Sequence, residues 1–118
     1  MVINKRIIGQ MVKAYAPAIM NINGALQYLV ASEGNGPCKM FDAGSLAEKT
    51  IWDGPGGTMN IVPVPGRNNE FIATQKFSQS AEGKEARLVH AKCDSNSDWT
   101  VIPIMTVPFL HRFDLMLL

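Results

Sequence analysis

The sequence is short of charge. Charged residues fill 18% of its 118 positions, against about a quarter in an average soluble protein. That shortfall predicts surface that is covered, for example by another subunit. The net charge is +1, too little field to gather nucleic acid or an anionic membrane, so neither is expected as a partner. No stretch approaches the roughly 18 consecutive apolar residues of a membrane helix. The N-terminal run MVINKRIIGQMV carries basic residues, but its apolar part is too short and broken for a signal peptide, and the cytoplasm is the default expectation. There are two cysteines, Cys38 and Cys93, and neither sits in a CxxC pair. Two reduced, partly buried thiols or one disulfide are the alternatives. The glycines of Asp53-Gly-Pro-Gly-Gly57 lack the Lys-Ser/Thr and the following helix of a phosphate loop, so they read as a tight turn. No cofactor is implied.

What the chain does contain is strand. Apolar residues reach 47%, and the length suits a single domain over residues 1–118 that needs no disulfide staples. Ala25–Ala31, Cys38–Phe41 and Glu48–Trp52 read as strands broken by turn clusters. Met59–Val64, Glu70–Gln75, Ala86–Ala91 and Trp99–Ile102 follow in the same style, with Pro63 pushing its strand to an edge or a bulge. Lys5–Ala16 has apolar residues at helical spacing but no good N-cap beyond Asn4, so helix and strand both stand there. Phe109–Leu118 reads as a last, C-terminal strand.

The strands come in matched sets. Leu26–Ala31 sits over Asn69–Thr74, Lys39–Ala43 over Arg87–Ala91, and Lys49–Trp52 over Trp99–Ile102. The offset only grows, and each step falls in a polar loop, as expected of two copies drifting apart by loop insertion. Repeat one spans about residues 18–57 and repeat two about 58–108. Four short antiparallel strands at this period are the pattern of a propeller blade. The wording of Asp53–Ile61, Pro65–Phe71, Lys84–Val89 and Pro108–Asp114 resembles a family of uncharacterised bacterial β-propeller proteins of FG-GAP style. The resemblance implies a fold and no activity, and it covers about residues 20–114. Chains of that family run through more blades, so this one resembles a two-blade fragment or a shortened version.

The expectation is therefore an all-β protein of two four-stranded, propeller-like blades that closes by oligomerisation. A blade has two apolar faces, and two blades leave two faces uncovered. Trp52 and Ile102 end matched strands and are expected to be buried in the assembled protein. The expected partner is the chain itself, as a trimer or a dimer, with a small-molecule or carbohydrate ligand as a further option. The leading function is a non-catalytic binding or assembly module. The alternative is an oligomeric enzyme acting on a carbohydrate or a related small molecule.

Few residues offer chemistry. Asp94, Asn96 and Asp98 place oxygens at positions 1, 3 and 5 of a calcium loop, but Trp99 stands where the turn needs Gly and Met105 where it needs Glu. A solvated turn explains the run equally. His90 and His111 are the only histidines, and each reads as a core or interface residue or as a binding group. Asp53 and Arg112 complete the binding candidates. Asp42, Asp53 and Asp114 are the carboxylates available for glycoside chemistry, with no spacing that separates an acid from a base. Trp52, Tyr28, Phe71 and Phe77 are either a sugar platform or blade core.

Overall fold

A computed structural model describes all 118 residues. Eight strands form two antiparallel four-stranded sheets. The first holds β1 (Ala14–Ile22), β2 (Ala25–Ser32), β3 (Cys38–Asp42) and β4 (Glu48–Trp52), paired in chain order. The second holds β5 (Ile61–Pro63), β6 (Glu70–Gln75), β7 (Arg87–Cys93) and β8 (Trp99–Thr106), again in chain order. No helix is long and apolar enough to cross a membrane.

Local chemistry explains the hairpins. Asn23 and Gly24 join β1 to β2 with φ of 50° and 82°, the left-handed pair that a two-residue hairpin turn requires. Asp42 closes the β3–β4 turn by accepting the N–H groups of Gly44 and Ser45 at 2.9 and 2.8 Å. Pro63 has no N–H to donate, and β5 is an edge strand of its sheet.

Alternation divides each sheet into an inner and an outer face. Leu29 pairs with Met40 on the inner face of the first sheet, and Tyr28 pairs with Phe41 on its outer face. In the second sheet Phe71 pairs with Ala91 and Ala73 with Val89 on the inner face, while Ile72 pairs with His90 and His90 with Ile102 on the outer face. The core is the seam between the inner faces. Trp52, Phe71 and Trp99 fill it, with Trp52 and Trp99 at centroid distances of 6.0 and 5.5 Å from Phe71. Cys38 and Cys93 are buried there as free thiols, so the disulfide alternative does not hold.

The two sheets run the same way. Both first hairpins turn at one end of the seam, where Asn23 meets Asn69. The first strands, β1 and β5, approach each other, and Lys49 of β4 reaches the Ser97 carbonyl in the β7–β8 turn. A rotation about an axis along the strands therefore relates the sheets. Such a rotation brings opposite faces together. The core fits that geometry: Leu29, Met40 and Trp52 of the first sheet and Phe71 and Val89 of the second lie in the seam, while Tyr28, Phe41, Ile72, Leu88 and Ile102 do not. The strand match expected from the sequence sets Phe41 over Val89, whereas Phe41 pairs with Tyr28 and the partner of Phe71 is Ala91. The slip is two residues and so preserves the face.

Two terminal expectations are corrected. Of Lys5–Ala16, where helix and strand both stood, only Ala14–Ala16 is strand, as the start of β1, and residues 1–11 form neither helix nor strand. No hydrogen bond holds them; residues 1–7 are exposed, and the end of this arm packs over the outer face of the first sheet, with Gly9 against the Phe41 ring and Ile8 and Met11 beside Val30. Residues 109–118 contain no strand either. Phe109 takes φ of 57° and turns the chain away. Its N–H donates to the Gly83 carbonyl at 2.8 Å, the Asn60 side chain donates to the Phe113 carbonyl at 2.9 Å, and Leu117 lies over Gly66.

Candidate functional site

Three places gather polar side chains. The first is on the outer face of the second sheet. Glu70 and His90 stand diagonally across β6 and β7, two residues off direct register, which is within reach of long side chains. The His90 Nε2 lies 2.8 Å from Glu70 Oε1, and Arg67 Nη1 is 3.8 Å from Glu70 Oε2. Glu70 is buried and His90 half-buried. A hollow of about 230 Å³ opens beside His90, lined also by Lys92, Asp94, Thr100 and Ile102. The carboxylate orients the imidazole, as it would for a general base. No hydroxyl or thiol of the chain bonds to that imidazole.

The second place is the end of the seam where the asparagines meet. The Asn23 N–H donates to Asn69 Oδ1 at 2.8 Å, and Asn69 Nδ2 donates back to Asn23 Oδ1 at 2.9 Å. Asn23 Nδ2 also donates to the Asp94 carbonyl at 2.9 Å. With Asn21 and Asn68 these residues line an open cleft of about 400 Å³.

The third place is the opposite end. Gly56 and Gly57 thread between the sheets there. The Gly57 N–H donates to the Gly34 carbonyl at 3.0 Å, while Lys76 and Phe77 donate their N–H groups to the carbonyls of Gly56 and Gly57 at 2.8 and 3.1 Å. Around this strap lies a groove of about 510 Å³ that presents Glu33, Glu82, Glu85 and Lys76. A second hollow of about 500 Å³ shares its Glu33, Phe77 and Ser78 and adds Lys13, Tyr15 and His111.

The residues singled out in the sequence are scattered over these places. His90 has its carboxylate partner. His111 packs edge-on against Phe77 at 5.0 Å, and Arg112 beside it is exposed and forms no ion pair. Asp53 is exposed, just past β4 and before the cis Gly54–Pro55 bond. Asp94, Asn96 and Asp98 form a turn whose donors are its own backbone. Asp94 Oδ1 accepts the N–H groups of Asn96 and Asp98 at 2.8 and 2.9 Å, and no three His, Cys, Asp or Glu residues are grouped to hold a metal ion. Asp42 is tied to its turn, and no contact brings it to Asp53 or Asp114. Trp52 and Phe71 are core and not a sugar platform. Sequence reasoning missed Glu70, Arg67, the Asn23–Asn69 pair and the groove glutamates. The dipeptide Asn23-Gly24 signals a hairpin turn, but its distant partner is set by the seam alone.

The chain matches no protein-family model, and searches of curated proteins and of solved structures returned no match.

Proposed function

We propose that this chain is a non-catalytic binding and assembly module of β-propeller type that works as a homo-oligomer. One observation carries the reading. The outer faces of both sheets keep large apolar side chains in water. Ile102, Ile104 and Met105 are 52%, 51% and 54% exposed on β8, and Ile19 is 62% exposed on β1. Patches of this kind mark docking surfaces, and covering them gains about 25 cal/mol per Å² of apolar surface. The repeat reading supports blades that need neighbours on both sides. Three chains closing a ring of six sheets, or a dimer that pairs tails, both satisfy it. Two free, buried thiols suit the cytoplasm.

The test is light scattering in dilute solution at moderate salt. A mass that is a multiple of the 12.9 kDa chain is expected. A steady mass of one chain at every concentration overturns the reading. A second reading, an oligomeric enzyme acting on a carbohydrate or a related small molecule, has one observation in its favour. Three glutamates face the groove beside the glycine strap, and paired carboxylates are the usual instruments of glycoside cleavage.

A further inference from the structure

We infer that the contact between copies is head-to-tail: the outer face of the second sheet in one chain docks on the outer face of the first sheet in the next. The inference rests on the assembly reading and adds its polarity. It follows from the way the two sheets already meet. They run in the same direction, with β1 beside β5 and both first hairpins at one end. They are therefore related by rotation about an axis along the strands, and the seam joins two unlike faces. One face of each kind is used up inside the chain, and one of each kind is left outside. The face left on the second sheet is exposed along β8, at Ile102 and Met105, while Ile72 on β6 is already buried within the chain; it corresponds to the face that the first sheet turns inward. The face left on the first sheet, with Tyr28 and Ile19, corresponds to the one that the second sheet turns inward.

A second copy supplies the missing half of each junction by repeating a packing the chain has already made. This is a heterologous contact, which generates rings or open stacks and not a two-fold dimer. The first sheet's outer face is open toward β1, where Ile19 is exposed. Toward β3 the arm covers it, by packing alone.

The experiment uses two full-length variants, each with one face blocked at an exposed position: Ile19→Glu on the first sheet and Ile102→Glu on the second. Circular dichroism and melting temperature check that both are folded. Wild type is expected to assemble, and each variant alone is expected to run as a single chain. Mixing them must restore one contact, between the intact faces, and double the mass to that of a 1:1 pair. A mixture that stays at single-chain mass, while wild type assembles, overturns the head-to-tail contact and leaves the assembly reading standing. A variant that assembles like wild type overturns it as well, because the blocked face is then not an interface. Wild type that stays a single chain overturns both.

Discussion

The Asp42 carboxylate accepts two backbone N–H groups, from Ser45 and Gly44. Those bonds favour its charged form and hold its pKa below the usual carboxylate range. A depressed folded-state value means that the stabilisation is present at neutral pH and is lost as pH falls through that value. Asp42→Asn is therefore expected to melt lower than wild type at neutral pH, with the gap closing in acid. A gap independent of pH, in melts taken from neutral to strongly acidic buffer, would show that the carboxylate's charge is not what holds the turn. The buried thiols shift the other way. Burial raises both Cys38 and Cys93, which keeps them protonated and slow to react.

At the scale of elements, the glycine strap is the least replaceable piece. A Cβ on Gly56 would stand 1.7 Å from the Gly34 carbonyl oxygen, a backbone atom that cannot swing aside. Gly56→Ala is expected to cost about 1–3 kcal/mol, measured by urea unfolding. An unchanged midpoint would mean that strap and turn separate freely. The strands were legible in the sequence because alternation and turn chemistry are local signals. Glu70–Gln75 has bounds identical to β6, and Glu48–Trp52 to β4. Local signals failed where the chain answers to distant partners. Residues 109–118 look like a strand because they are apolar, yet their backbone is fixed by Gly83 and Asn60 instead of by a ladder. Glu70 escaped notice beside His90 because cross-strand neighbours follow from register, and register is a property of the folded pair.

Over the whole molecule, 29 of 118 residues are buried, so one seam is most of the core and the outer faces dominate. The arm sits on one of those faces. Residues 1–32 carry Lys5, Arg6 and Lys13 with no acidic residue, and residues 1–11 are held by no hydrogen bond. An arm so held competes with anything that docks on Phe41 and Val30. Removing residues 1–11 is expected to strengthen self-association, seen as a larger mass at equal concentration in light scattering. Weaker association would show that the arm is part of the contact.

The seam is apolar in the middle and pinned at its two extremities, by the Asn23–Asn69 pair at one and the Gly56–Gly57 strap at the other. Both pins lie along the strand direction, so they hold the strands of the two sheets in line, while the opening between the sheets across the strand order is spanned by the Trp52, Phe71 and Trp99 rings and by the contact of Lys49 with the Ser97 carbonyl. In any ring built from such pairs that opening decides how many fit around the circle, and it belongs to the inside of each chain, away from the surfaces at which copies would meet.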